Sequence, residues 1–137
     1  MSKHLNGSGP CKKCIEIMNK FPNFDPTLKN WFITKQNQLM NCHISDAGRG
    51  KLDQEVYFQR GASKAHYGQS SHNFNAALDI FFIEKDGSLS YADNKYALLT
   101  LDLPDDIVWY GAPKAKFPEK PHFELKDWKT KCTKLVE

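Results

Sequence analysis

The spacing of apolar residues predicts two helices near the start of the chain. Apolar side chains recur at near-helical intervals over residues 12–21, and again over residues 26–39 behind an Asp-Pro pair that can cap and begin a helix. These helices would form a brace over residues 11–41, preceded by a polar lead-in over residues 1–10 that we expect to be flexible. The buried side of the second helix is predicted to carry Leu28, Trp31, Phe32 and Leu39.

The rest of the chain mixes short strands and helices. The pattern predicts strands over residues 43–46, 76–83, 107–110 and 121–125, and helices over residues 52–60 and 91–101. The strand 76–83 has a buried composition, whereas the polar loop 61–75 before it is expected outside the core. The last helix is expected to pack through Tyr96, Leu98, Leu99 and Leu101. Because strands and helices do not alternate regularly, we predict an α+β fold with a small antiparallel sheet flanked by helices.

Composition indicates a single domain over residues 1–137. The chain is 40% hydrophobic and 26% charged, which suits a protein that buries a core and excludes a disordered one. No apolar run approaches the ~18 residues that cross a bilayer, so membrane insertion is not expected. The polar N-terminus has no signal-peptide pattern, and we therefore expect synthesis in a cytoplasm. The net charge of +3 is a mild excess that does not by itself imply nucleic acid.

The four cysteines have two alternative uses. One is a second, structural zinc site formed by Cys11, Cys14 and Cys42, with Cys132 or His43 as a further ligand. The other is a set of buried free thiols next to the helical brace. A disulfide framework is not expected, because the chain shows no export signal.

The candidate chemistry lies around a carboxylate in the apolar run 76–83. Asp79 would be costly to bury as an unpaired anion, so it must face solvent, pair with a cation or bind a metal. A metal is the economical interpretation if His72 and His122 converge on it, because two imidazoles and one carboxylate suit zinc and leave a fourth position open. Glu119, three residues before His122, is then placed as the general base for hydrolysis of an amide.

Predictions also follow for three residues outside the proposed ligand set. Glu124 lies two residues after the last proposed ligand, where it could hydrogen-bond an imidazole. Two other histidines, His4 and His66, are expected on the surface of the protein.

Two motifs in the chain resemble those of a known enzyme family. Ser70-x-His72-x-x-Asn75-x-Ala77-x-Asp79 resembles the SxHxxGxAxD motif of the zinc D-Ala-D-Ala carboxypeptidase and L-alanyl-D-glutamate endopeptidase family. The usual glycine is Asn75 here, which is tolerable because asparagine also adopts left-handed backbone conformations.

Glu119-x-x-His122 resembles the second motif of this family. Together, the two motifs and the segment before them extend the resemblance over residues 44–125. It implies a Hedgehog/DD-peptidase-like zinc peptidase domain, with residues 42–125 as the catalytic core. It also implies that zinc is bound by His72, Asp79 and His122, and that Glu119 is the catalytic base.

The resemblance also implies residues that face the substrate. Arg49 matches an arginine that steadies the substrate or the developing oxyanion, although a turn residue paired with Asp46 or Asp53 is the alternative. Substrate-binding candidates are Ser70, Trp109 and Tyr110.

The function implied by the resemblance is zinc-dependent cleavage of a peptidoglycan stem peptide. We expect an L-alanyl-D-glutamate endopeptidase that acts as a phage endolysin, made in the host cytoplasm and released to the cell wall or periplasm by a separate holin. The alternatives are a D-Ala-D-Ala carboxypeptidase or dipeptidase, and a non-catalytic wall-binding module. A nuclease is disfavoured because the chain lacks a carboxylate cluster for paired magnesium ions. We thus expect peptidoglycan to be the binding partner. We also expect the protein to be a monomer and not to bind nucleic acid.

Overall fold

The computed structural model of the protein describes residues 4, 6, 7, 9, 11–38, 41–111 and 119–136. Helices α1 to α5 of this part of the chain are Lys12–Asn19, Pro26–Asn37, Lys51–Gln59, Asp93–Leu99 and Trp128–Lys131. Strands β1 to β5 are Cys42–Asp46, Ala77–Ile83, Leu89–Ser90, Ile107–Trp109 and His122–Leu125, and a 3₁₀ turn covers Ser71–Phe74. None of the helices described is long and apolar enough to cross a membrane.

The predicted helical brace is present as α1 and α2. Pro26 occupies the first position of α2, and the side chain of Asp25 accepts a hydrogen bond of 3.0 Å from the backbone N–H of Leu28. α1 ends at Asn19, before the predicted boundary, and Leu39 lies outside the described residues. The apolar residues buried by the two helices include Cys14, Met18, Leu28, Trp31 and Phe32.

A five-stranded antiparallel sheet lies at the centre of the described residues. The strand order is β1-β2-β5-β4, and the short β3 pairs with β2. In the sheet register, Asp79 of β2 lies opposite His122 of β5 on one side and Asp46 of β1 on the other. The predicted α+β fold with a small antiparallel sheet is therefore confirmed.

Alternation of side chains along β2 separates the core from the candidate site. Leu78, Ile80 and Phe82 are buried in the hydrophobic core together with Phe123 of β5. Because successive residues of a strand point to opposite faces, Asp79 points away from this core. The carboxylate in the apolar run thus faces the polar side of the sheet, as its high burial cost requires.

The loop before β2 is more buried than its composition predicts. Residues 61–75 were expected outside the core, but Ser71, Asn73 and Asn75 are at most 4% exposed. The 3₁₀ turn explains this difference, because Asn73 donates a hydrogen bond of 2.9 Å to the backbone carbonyl of Arg49 and so ties the turn to the loop after β1. Asn75 ends the turn in the left-handed conformation (φ 61°), as its place in the motif predicts.

Helix α4 is shorter than predicted. It covers Asp93–Leu99, and only Tyr96 and Leu99 of the four predicted packing residues are buried. Leu98 and Leu101 are 55% and 79% exposed, because one side of this short helix faces solvent and the helix ends before residue 101.

Both ends of the described chain are hydrogen-bonded to the rest of the fold. At the N-terminus, where a flexible lead-in was expected, the backbone N–H of Gly9 donates to Gln36 O at 2.7 Å and that of Gly7 donates to Asn41 Oδ1 at 3.1 Å. At the C-terminus, beyond the predicted core, the backbone N–H of Val136 donates to Asn73 O at 2.7 Å. Residues 1, 2, 3, 5, 8 and 10 of the predicted lead-in lie outside those described.

Candidate metal centre

The three predicted metal ligands come together on the polar face of the sheet. His72 comes from the 3₁₀ turn, Asp79 from β2 and His122 from β5. His72 Nε2 lies 3.2 Å from Asp79 Oδ1, and His122 Nδ1 lies 3.1 Å from the same oxygen. One donor atom from each residue therefore lies within 4.8 Å of the other two, which is close enough for a single metal ion.

Hydrogen bonds on the far side of each ring orient the two imidazoles. His72 Nδ1 lies 2.6 Å from the backbone carbonyl of Ala47, and His122 Nε2 lies 2.8 Å from Glu124 Oε1. Carbonyl and carboxylate oxygens only accept, so these ring nitrogens are the donors. The opposite nitrogens, His72 Nε2 and His122 Nδ1, are thereby directed at Asp79, which is the arrangement by which proteins fix histidine ligands.

Glu124 is the centre of a buried hydrogen-bond network behind His122. Its Oε1 accepts from His122 and from Ser71 Oγ (2.9 Å), and its Oε2 accepts from Tyr110 OH (2.9 Å) and Trp128 Nε1 (2.8 Å). Glu124 was predicted as a partner of an imidazole, but Ser71 and Trp128 were not. Ser71 stands at an unspecified motif position, and Trp128 lies beyond the predicted core, so neither carried a sequence signal.

The two carboxylates control protonation of the histidine between them. Burial alone would lower the pKa of His122, but its hydrogen bonds with Asp79 and Glu124 raise that pKa to about 9. Burial likewise opposes ionisation of Asp79, and the two histidines outweigh it, so the pKa of Asp79 lies well below its usual range. A metal ion and a proton therefore compete for His122 Nδ1.

An open cleft of about 1360 Å³ gives access to the three ligands. Arg49, Ser70, Tyr110 and Glu119 also line it, so four of the five other predicted site residues surround the metal-type donors. Trp109 is not among the lining residues. The prediction that Trp109 lines a substrate groove is therefore not supported by its position.

Trp109 instead packs against the core. Its ring stacks on Tyr96 and Phe123 at centroid distances of 6.0 and 6.2 Å, and its Nε1 donates to Lys120 O at 2.8 Å. The direction of β4 accounts for the difference, because Trp109 lies opposite Phe123 in the strand register and shares its side of the sheet.

Arg49 is both a cleft residue and a turn residue. Its Nε and one terminal nitrogen donate to Asp46 Oδ2 at 3.1 and 2.5 Å, and its other terminal nitrogen donates to Gln54 Oε1 at 3.0 Å. The guanidinium also lies 4.3 Å from the centroid of the Tyr57 ring. The pairing with Asp46 thus holds Arg49 in place at the cleft, so its position in the turn and its position at the cleft are compatible.

Backbone hydrogen bonds place Ser70 and Glu119 next to the ligands. Ser70 Oγ accepts from the backbone N–H of His72 at 3.3 Å and so caps the turn that carries this ligand. The backbone N–H of His122 donates to Glu119 O at 3.1 Å, which joins the exposed Glu119 to the ligand in one tight turn. The roles of Ser70 in substrate binding and of Glu119 in catalysis stay predictions.

A second group of metal-type donors lies outside the cleft and corrects the predicted cysteine set. It consists of His4, Cys11, Cys14 and His43, whose donor atoms all lie within 4.8 Å of one another. Cys42 is fully buried in the hydrophobic core, and Cys132 is likewise not part of the group. His4, which was expected on the surface, is half-buried.

Comparison with known proteins adds information on the fold. No family model matches this sequence, and no curated protein matches it. The structure matches the crystal structure of the Serratia marcescens L-Ala D-Glu endopeptidase ChiX with a TM-score of 0.68, over 88% of this chain and 90% of that chain. The two sequences are 18% identical, so the likeness is one of fold. The fold expected from the two sequence motifs is thereby confirmed.

Proposed function

We propose that this protein is a zinc-dependent peptidoglycan hydrolase that cleaves the amide bond between L-alanine and D-glutamate. The observation that carries the proposal is the open His72, Asp79 and His122 centre, which lies in a cleft that the exposed Glu119 also lines. The fold shared with an L-Ala D-Glu endopeptidase supports the choice of substrate.

The donor set fits zinc. Two imidazole nitrogens and one carboxylate oxygen are the ligands of a catalytic zinc site with an open position. The bonds of His72 to Ala47 and of His122 to Glu124 would hold both rings ready for the ion. When bound, zinc would supply Lewis acidity, polarising the scissile carbonyl and making a water molecule easier to deprotonate.

Residues of the chain would carry out the proton transfer and stabilise charge. Glu119 accepts the proton of the attacking water and returns it to the amine that leaves. Arg49 uses three of its five N–H groups in the bonds to Asp46 and Gln54, so two others have no partner among the described residues and would face the negative charge on the carbonyl oxygen. Because Arg49 is held before substrate arrives, this stabilisation costs little reorganisation.

Digestion of purified peptidoglycan, followed by mass spectrometry, tests this function. Wild type loaded with zinc should release stem peptides that begin with D-glutamate. Glu119→Gln should lower the rate by about 10²- to 10⁴-fold while zinc content is unchanged, since it removes the base but no ligand. Glu84→Gln is the matched control, because Glu84 pairs with Lys95 and does not line the cleft.

Three results would contradict the proposal. Release of D-alanine without new D-glutamate ends would indicate a carboxypeptidase. A zinc-loaded wild type that binds peptidoglycan but cleaves nothing would indicate a wall-binding module. Full activity of Glu119→Gln would refute the role of this residue.

We also propose a biological setting, that of a phage endolysin made in the host cytoplasm and released to the wall by a holin. Expression inside a bacterium should then cause lysis only when a holin is expressed with it. Lysis without a holin would contradict this setting and leave the cleavage reaction unaffected.

A further inference from the structure

The group formed by His4, Cys11, Cys14 and His43 lies where α1 meets the edge strand β1. Cys11 and Cys14 stand at the start of α1, and His43 stands in β1. His4 reaches the group from the N-terminal segment, where its ring packs at 5.1 Å from the rings of both His43 and Phe81. Four donors from three separate parts of the chain thus converge on one point.

The distances between these donors are those of a tetrahedral metal site. His4 Nδ1 lies 3.6 Å from Cys11 Sγ and 3.4 Å from Cys14 Sγ, and His43 Nδ1 lies 3.6 Å from Cys14 Sγ. A tetrahedral zinc with bonds of about 2.3 Å to sulfur and about 2.0 Å to nitrogen separates sulfur from nitrogen by about 3.5 Å. The three separations agree with this value.

The hydrogen bonds around the group favour metal ligation over an ordinary polar cluster. His43 Nε2 lies 2.6 Å from Asn41 Oδ1, and Asn41 Nδ2 donates to Ile83 O at 2.9 Å, which fixes the amide orientation. His43 Nε2 is therefore the donor, and Nδ1 presents its lone pair to the sulfur atoms. The backbone N–H of Ile44 donates to Cys14 Sγ at 3.3 Å, a contact that stabilises a thiolate.

Three of the four donors are buried, and the fourth, His4, is half-buried, as expected of a closed site. Both cysteines are fully buried and His43 is 1% exposed, whereas the ligands in the cleft leave one side open. Four protein donors without an open position are typical of structural zinc, and the S₂N₂ donor set suits zinc among the common divalent ions.

We propose that His4, Cys11, Cys14 and His43 bind a structural zinc ion that fastens the N-terminal segment and α1 to β1. Cys42 is not part of this donor group: it is adjacent to His43 in β1, so its side chain points to the opposite face of the strand. The site is separate from the proposed catalytic centre, and its zinc has no part in cleavage.

Metal content of purified variants tests the site directly. Wild type should hold close to two zinc ions per chain, and His122→Ala, which removes a catalytic ligand, should retain one. Cys14→Ser should also retain one zinc, while Cys42→Ser is the matched control for loss of a buried thiol and should retain two. Cleavage activity separates the two sites further, because folded Cys14→Ser should retain it and His122→Ala should not.

Substitution of cobalt for zinc identifies the ligands spectroscopically. Wild type and His122→Ala should both show thiolate-to-cobalt charge-transfer absorption, because both contain the sulfur donors. The proposal is overturned if wild type holds a single zinc and shows no such absorption, or if Cys42→Ser abolishes the absorption while Cys14→Ser does not.

The variant His4→Ala tests the site if Cys14→Ser does not fold. His4→Ala removes a half-buried ligand and leaves the core intact. We expect this variant to bind zinc at the structural site at least about 10-fold more weakly, since loss of a ligand should cost no less than loss of a residue that orients one. Unchanged affinity at this site would overturn the assignment of His4.

Discussion

Replacement of Glu124 by glutamine tests how the metal centre is held in place. The carboxylate accepts two hydrogen bonds on each oxygen, from His122 and Ser71 on one and from Tyr110 and Trp128 on the other. Glutamine keeps the size of the side chain, but its amino group would meet two donors and leave at least one of them unpaired. The negative charge that stabilises the His122 donor is also lost.

The expected effect is a weaker metal site in a folded protein. Loss of a residue that orients a histidine ligand typically lowers metal affinity by 10- to 100-fold, or about 1.4–2.7 kcal/mol. Removing one partner of a buried charged hydrogen bond should also lower the free energy of unfolding by about 3 kcal/mol. Zinc affinity is measured by competition with a chromophoric chelator, and stability by urea unfolding of the zinc-loaded protein.

Two controls make the result specific to Glu124. Glu119→Gln should bind zinc at the cleft as tightly as wild type does, because Glu119 is not a ligand. Tyr110→Phe removes one donor from Oε2 but keeps the ring, which lies 5.2 Å from that of His122, so its zinc affinity should fall less than that of Glu124→Gln. A folded Glu124→Gln variant with wild-type zinc affinity would refute the reasoning.

Two further predictions concern pH and packing. In chelator-treated protein the raised pKa of His122 stabilises the fold fully below pH 6.5, and this stabilisation is lost as pH rises to about 9. Its size is about 3 kcal/mol, so Tm should fall by about 10 °C over this range, and a His122→Gln variant with the same slope would contradict the prediction. Gly48→Ala would place a methyl group 2.5 Å from the Phe21 ring and should cost about 1–3 kcal/mol in urea unfolding. A second change, Phe21→Ala, should restore part of this loss, and its failure to do so would exclude the clash as the cause.

The central strand could be predicted from the sequence because its apolar pattern fits only a buried strand. The run 76–83 is apolar enough to be buried on both faces, and Asp79 is the one charged residue within it. A buried carboxylate needs partners, and two histidines in a matching motif supplied them. The helices α1 and α2 were predictable for a similar reason, since apolar spacing and the Asp25 cap agree.

The polar network behind the site could not be predicted in this way. Ser71 and Asn73 are buried because they bond to other polar groups, and such pairings depend on contacts between residues that are distant in sequence. The group around Cys14 has the same origin, since His4 and His43 approach it from separate segments. The sequence prediction named Cys42 in this group with His43 as an alternative, and the direction of side chains in β1 places His43 among the donors instead of Cys42.

The register between β2 and β5 has a consequence for folding. Asp79 faces His122 directly, and Glu124 lies opposite Ala77. A slip of β5 by one residue would turn His122 and Glu124 toward the core and Phe123 toward the cleft, so the ligand set exists in one strand pairing alone. A bound ion stabilises that pairing by its binding free energy and gives nothing to the slipped ones. The ion would thus favour the native register of β5 on β2 during folding, in addition to any part it takes in a reaction.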